Sequence, residues 1–314
     1  MTKFGLVADI GGTNARFALV EPGGSLAHSW RCGVNEFRSL AEATEAYLSR
    51  TCVDRPARAA LAVAAPITGD QVTLTNHPWS FSIDALRKEL GLEDLRVIND
   101  FVANALSIPH LDEASRKQIG AGSPVAGCPI GVIGPGSGLG VSGLIPTKDG
   151  VTPIEGEGGH VTMAPYDARE SAVINHLRER YEHVSAERLL SGPGLVNIYE
   201  ALCALSEAPG SSYAPAQIAD PAIWGVDPCT EQAVALFCAM LGGAAGNLAL
   251  TLGARGGVYI AGGIAPQMLT YLERSQFRTR FASKGRFHGY LDKIPTYVIT
   301  HPTPALIGAG ALLS

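Results

Sequence analysis

Residues 9–20 read DIGGTNARFALV, and this stretch decides how the rest of the chain is read. It follows the apolar run Phe4 to Ala8, turns on Gly11 and Gly12, and resumes as a second apolar run. A β-hairpin with a turn too small for side-chain bulk fits that order. The same device recurs at GPGSGLGVSGLI, residues 134–145, after the apolar run Pro129 to Ile133. Glycines let the backbone approach a ligand closely, and successive N–H groups facing one way form a nest for an anion. Asp9 falls at the end of the first strand, where a carboxylate is placed to hold a cation beside that nest. Two such hairpins, one with a carboxylate, predict a cleft that grips a nucleotide triphosphate from both sides.

A chain of 314 residues, 46% hydrophobic and 17% charged, is expected to form one large domain or two, with a well-filled core. The formal net charge is −5 and no dense Lys/Arg run occurs, which argues against nucleic acid or an anionic membrane as partner. A strand that opens at Phe4 leaves no room for a signal peptide. Cys32, Cys52, Cys128, Cys203, Cys229 and Cys238 show neither CxxC nor Cys/His spacing. They read as free thiols of a reducing cytoplasm, with no zinc site. Ala233 to Ala254 carries no charge and is long enough to cross a bilayer. Its Gly242, Gly243, Gly246, Asn247 and Gly253 nevertheless leave it only moderately apolar. With Asp227-Pro228 as N-cap and first turn, and Gly256-Gly257 as the stop, it reads as a central helix buried between protein layers.

The first hundred residues alternate strand and helix, an α/β pattern. Strands are predicted at Gly5 to Ile10, Arg16 to Val20, Ala59 to Ala65 and Leu95 to Ile98, and helices at Ser39 to Arg50 and Ile83 to Leu90, the latter capped by Ser82. Leu111 to Pro129, with its Gly, Ser and Pro, reads as a crossing into a second domain. That domain begins with the hairpin at Ile130 and continues with helices near Glu170 to Glu182 and Gly194 to Leu205, then the central helix. A strand at Gly257 to Ala261, helices near Pro266 to Glu273 and Phe277 to Ser283, a strand at Thr296 to Thr300 and a helix at Ala305 to Leu313 follow. Pro302 and Pro304 mark a return. The expected division is therefore 1–110 plus 302–314 as a small α/β domain and 111–301 as a large one, hinged around one cleft.

Gly138 to Gly143 satisfies GxGxxG, with Glu157 downstream, but a second strand ending at Pro146 follows where a dinucleotide site needs a helix. A dehydrogenase is excluded on that ground. Asn99-Asp100 follows the strand Leu95 to Ile98 and precedes a helix, at a strand's carboxyl end where ligands bind in α/β sheets. Asp100 is equally suited to be only the N-cap of that helix. In Glu155-Gly156-Glu157-Gly158-Gly159-His160, carboxylates and a histidine spaced by glycines suit a ligand with several hydroxyls. A metal site would want further His or Cys nearby, and a solvated loop is the bland reading. Glu187 follows Ser185 at an expected helix start, where a glutamate is often only a partner of the helix dipole.

Six stretches carry a resemblance: DIGGTNARFALV, TNHPWSFS (75–82), VINDFVANA (97–105), GEGGHVTMAP (156–165), HVSAERLLSGPGLVNIY (183–199) and GGVYIAGGIAP (256–266). Together they make the chain similar to the bacterial glucokinases, in the branch without a cysteine-rich zinc motif, over nearly its whole length. The resemblance implies the two-domain actin-like, ribonuclease-H-like ATPase fold, with the nucleotide cleft between α/β domains. It implies phosphorylation of D-glucose at its 6-hydroxyl by ATP with Mg2+, at the entry to glycolysis, by a cytoplasmic homodimer. Carried onto this sequence, Asn99, Asp100, Glu157, His160 and Glu187 are implied as sugar contacts, with Asp100 the catalytic base. Ala8, Asp9, Ile10, Gly11, Gly12 and Thr13 are implied as the first phosphate loop, Asp9 holding the metal through water. Gly134, Gly136, Ser137, Gly138 and Gly140 are implied as the second, with Gly262 and Gly263 against the adenosine. Ser137 stands where the family usually has threonine, which keeps the hydroxyl, and Pro135 removes one N–H donor. With the nucleotide on the glycine side, changes at Glu157, His160 or Glu187 are expected to leave its affinity alone. The competing readings are a kinase for mannose, fructose or an N-acetylhexosamine, and a sugar-sensing regulator. The latter needs a DNA-binding helix-turn-helix, and eight residues precede Asp9.

Overall fold

Strands β1 (Gly5–Ile10) and β2 (Asn14–Val20) pair antiparallel, Asp9 opposite Arg16 and Ile10 opposite Ala15, so the chain reverses over Gly11 to Thr13. The computed structural model describes residues 4–51 and 54–313 and divides into two units; Cys52 lies outside the described residues. The other five cysteines are free thiols.

The first unit comprises Met1–Asp112, Pro153–Glu155 and His301–Ser314. Its sheet adds β3 (Leu26–Gly33) beside β2, β4 (Arg58–Val63) parallel to β1, and β7 (Asp94–Asn99) parallel to β4. The order is β3-β2-β1-β4-β7. A small hairpin of β5 (Gln71–Thr73) and β6 (Ser80–Ser82) stands apart. The helices Leu40–Thr51 and Ile83–Glu89 make the crossovers that parallel neighbours require. Ser82 caps the second by accepting from the Ala85 N–H, as its sequence predicts. Alternation along β1 sends Leu6, Ala8 and Ile10 into one core with Phe17, Tyr47 and Leu86. It sends Val7 into the opposite layer with Ala18 and Ala60, against Leu306 and Ala309 of the helix Pro304–Ala311. Gly308 lets that helix lie on the helix Asp100–Ser107, because a Cβ there would fall inside the Ala103 carbonyl oxygen. Gly308→Ala is therefore expected to destabilise the protein by about 1–3 kcal/mol through overpacking, read as a lower chemical-denaturation midpoint.

The second unit, Glu113–Thr152 and Gly156–Thr300, repeats the strand order. Its sheet is β8 (Arg116–Ile119), β9 (Ile130–Pro135), β10 (Leu139–Thr147), β11 (Gly150–Ile154, of which Pro153 and Ile154 count with the first unit), β12 (Gly257–Ile260) and β13 (Thr296–Ile299). They run β11-β10-β9-β12-β13-β8. The hairpin β9–β10 takes the place of β1–β2, and β12 and β13 follow in parallel as β4 and β7 do. The stretch 111–129, expected to be only a crossing, contains β8, which pairs antiparallel with β13. The 25-residue helix Pro228–Leu252 is capped by Asp227 and is mostly buried, so its apolar length serves a core. It stops at Gly253, which adopts φ 61°, and not at Gly256-Gly257 as the sequence suggested.

Candidate active site

In the first unit the parallel strands β1, β4 and β7 end together, with Ile10 opposite Val63 and Val63 opposite Asn99. Ala8 to Thr13 and Asn99-Asp100 thus come to one edge of the sheet, two strand spacings or about 10 Å apart. The Gly11 N–H donates to the Asn14 carbonyl at 2.9 Å, closing the turn on itself. That removes one donor from the row of N–H groups expected to face an anion. A Cβ on Gly12 would lie 2.9 Å from the Asn76 Cβ, so the TNHPW segment stands against this turn. Neither Asn76 nor Arg16 was assigned from sequence, although hairpin register alone puts Arg16 opposite Asp9.

Arg16 Nη1 donates to Asp9 Oδ2 at 2.9 Å. Burial pushes the Asp9 carboxyl above its ordinary value, opposed by the charge and hydrogen bond of Arg16. The donor type fits a magnesium ion held through its water shell: Asp9 offers a hard carboxylate oxygen beside a glycine turn, and Arg16 takes only its Oδ2.

The helix cap is one residue earlier than Asp100. Asn99 Oδ1 accepts from the Phe101 and Val102 N–H groups at 2.8 and 3.3 Å, and its Nδ2 donates to the Ala65 carbonyl. Asp100 is the first helical residue, with Oδ1 accepting from the Phe101 N–H at 3.0 Å. The Asn99 side chain locks the helix to the sheet, and the Asp100 carboxylate is carried on a fixed backbone.

In the second unit the turn between β9 and β10 gathers the remaining candidates. Gly134 pairs with Gly140, Gly136 donates its N–H to the Gly138 carbonyl at 2.8 Å, and Ser137 is exposed at the tip. The Ala261 N–H donates to the Ile133 carbonyl at 2.9 Å, and a Cβ on Gly134 would lie 2.5 Å from the Ala261 carbonyl carbon. Gly262 turns away at φ +80°, a conformation that favours glycine, and Gly263 precedes the short helix Ile264–Gln267. Backbone therefore lies on backbone where these two segments meet.

Glu157 precedes a single turn, Gly158–His160, and His160 closes it, with His160 Nε2 4.0 Å from Glu157 Oε2. Both side chains are about half exposed, at 54% and 56%. The helix expected near Glu187 starts later, at Gly192 with Ser191 as its N-cap, so Glu187 is no dipole partner. Glu187 instead accepts the Leu139 N–H on Oε2 at 2.8 Å, and its own N–H donates to the Gly159 carbonyl at 2.9 Å. Within this unit, then, the second glycine turn, Gly262-Gly263, the Glu157–His160 turn and Glu187 are neighbours.

A family profile described as glucokinase matches residues 6–314. A glucokinase of Aromatoleum aromaticum is 50% identical over 311 residues, 98% of this chain and 94% of its own. Among solved structures, a glucokinase from an Antarctic psychrotroph superposes with a TM-score of 0.89 at 38% identity, covering 100% of this chain and 99% of its own. The fold is shared more widely. A ROK-family glucokinase of Streptomyces griseus, solved with glucose and AMPPNP, gives a TM-score of 0.66 at 16% identity, covering 98% of each chain.

Proposed function

The chain belongs to the glucokinase family, and from that premise we propose that it transfers the γ-phosphoryl group of ATP to the 6-hydroxyl of D-glucose. The observation that carries the reading is the 50% identity with a glucokinase over 98% of the chain. The products are glucose 6-phosphate and ADP. We place the enzyme in the cytoplasm at the entry to glycolysis, as a homodimer with two domains, 1–110 plus 302–314 and 111–301. Its net charge of −5 suits a protein without nucleic-acid or membrane partners.

Phosphoryl transfer asks a protein for position and charge stabilisation more than for covalent chemistry. Asp100 accepts the proton of the 6-hydroxyl as that oxygen attacks the γ-phosphorus in line; the new O–P bond forms as the bond to the β-phosphate oxygen breaks. Asn99, Glu157, His160 and Glu187 take the ring hydroxyls. Gly11 and Gly136 spend their N–H groups inside their own turns, so Gly12, Thr13, Ser137 and Gly138 are the donors assigned to the phosphates. The backbone at Gly262 and Gly263 receives the adenosine. Asp9 would hold the water shell of a magnesium ion, which supplies charge neutralisation at the terminal phosphates when bound.

A coupled assay of ADP release across glucose, mannose, fructose and N-acetylhexosamines tests the reading. The highest kcat/KM is expected for glucose; a higher value for another sugar would move the assignment to that hexose. Glu157→Gln is expected to cut kcat/KM for glucose by about ten- to a hundredfold, since a hydrogen bond to a charged group is worth roughly 1.5–3 kcal/mol. An unchanged value would remove Glu157 from the sugar.

A further inference from the structure

We infer that Glu187 positions the second glycine turn as well as binding the sugar, so that one carboxylate links the affinities of the two substrates. The inference rests on the assignment of that turn to the nucleotide phosphates. Glu187 Oε2 is already committed to the Leu139 N–H, at 2.8 Å. Gly138 is what admits the carboxylate, because a Cβ there would lie 2.5 Å from the same oxygen. The backbone around Glu187 is tied to both neighbouring turns. Its N–H donates to the Gly159 carbonyl at 2.9 Å, its carbonyl accepts from Ser191 Oγ at 2.8 Å, and the Gly192 N–H donates to the Gly136 carbonyl at 2.8 Å.

A carboxylate has two oxygens in a fixed plane. With Oε2 on Leu139, Oε1 is the oxygen left for a sugar hydroxyl, and the sugar then meets a group whose orientation the glycine turn sets. A ligand that holds the turn in shape pre-orients the carboxylate, and a sugar that holds the carboxylate pre-orients the turn. Such coupling is reciprocal by thermodynamic necessity. The expectation that changes at Glu187 leave nucleotide affinity alone is therefore reversed for variants that lose the oxygen on the Leu139 N–H.

Calorimetry separates the two substrates. AMPPNP with Mg2+ is titrated without sugar, and glucose without nucleotide, into the wild-type chain, Glu187→Ala, Glu187→Gln and Gly138→Ala. Glu187→Ala is expected to weaken AMPPNP by roughly tenfold or more in the absence of any sugar, the worth of a hydrogen bond to a charged group. Amide hydrogen exchange at Leu139 should accelerate in the same variant. Glu187→Gln keeps an oxygen for the Leu139 N–H, so it should hold AMPPNP within about threefold of wild type while weakening glucose. Gly138→Ala displaces the carboxylate from the other side and should weaken glucose with no nucleotide present. Wild-type AMPPNP affinity in Glu187→Ala, or wild-type glucose affinity in Gly138→Ala, overturns the inference. A wild-type chain that binds no AMPPNP at all would overturn instead the assignment of the turn to phosphates, and the inference with it.

Discussion

Asp100→Asn is expected to lower kcat by about two to four orders of magnitude while leaving glucose binding largely in place, the loss typical of removing a general base. The substitution isolates the chemistry because the helix cap does not depend on it. Asn99 supplies the cap, accepting from the Phe101 and Val102 N–H groups and tying the helix to Ala65. The asparagine oxygen at position 100 can still accept from the Phe101 N–H, as Asp100 Oδ1 does. What disappears is the capacity to take a proton. Turnover and glucose binding measured on one preparation, with a melting curve as control, check this; near-normal turnover would reduce Asp100 to a residue of the helix start.

Arg280→Met is the substitution expected to cost most in stability. Arg280 Nη1 lies 2.7 Å from Glu170 Oε1, and the side chains are 8% and 1% exposed. The guanidinium covers the Tyr166 ring, 3.7 Å from its centroid, while Glu170 Oε2 accepts the Tyr166 N–H at 2.7 Å. Removing the cation strands a buried carboxylate, at a cost of about 3–5 kcal/mol. In a unit of this size that corresponds to a melting temperature lower by roughly 10 °C. Replacing both partners, with Glu170→Gln added, should restore much of the loss, because the amide carries no charge yet keeps an oxygen for the Tyr166 N–H. A double-mutant cycle with no interaction energy would show that the pair carries nothing.

The parts of this structure that could be read from sequence are those that write themselves in consecutive residues. The two glycine hairpins, the Ser82 cap and the Asp227-Pro228 start each set an apolar run beside a residue with a distinct local role (a turn glycine, a capping oxygen, a first-turn proline), and each occurs where expected. The strands that were missed are edge or short strands. β3 and β8 carry exposed polar side chains, and β5 and β6 have three residues each, so none shows an apolar run. Asn99 and Asp100 differ by one step in chain position, and propensity cannot choose between two good caps. The helix start read at Ser185-Glu187 is a turn, and the helix predicted from Gly194 begins at Gly192. The partners Asp9 and Arg16 follow from register, whereas Glu170 and Arg280, 110 positions apart, leave no mark on the sequence at all.

The helix Pro304–Ala311 has a consequence for the order of events during synthesis. It provides the layer over Val7, Ala18 and Ala60, so strands made early wait for Leu306 and Ala309 before that face is covered. At 5–20 residues per second, translation from Ala60 to Leu306 takes about ten seconds to a minute. Throughout that interval the nascent sheet presents an apolar face to the cell, while the second unit, Glu113–Thr152 and Gly156–Thr300, is complete before the first. A chain cut just before Pro304 would leave the nascent state permanent, and chaperone occupancy on stalled ribosomes should fall only once the helix Pro304–Ala311 has emerged.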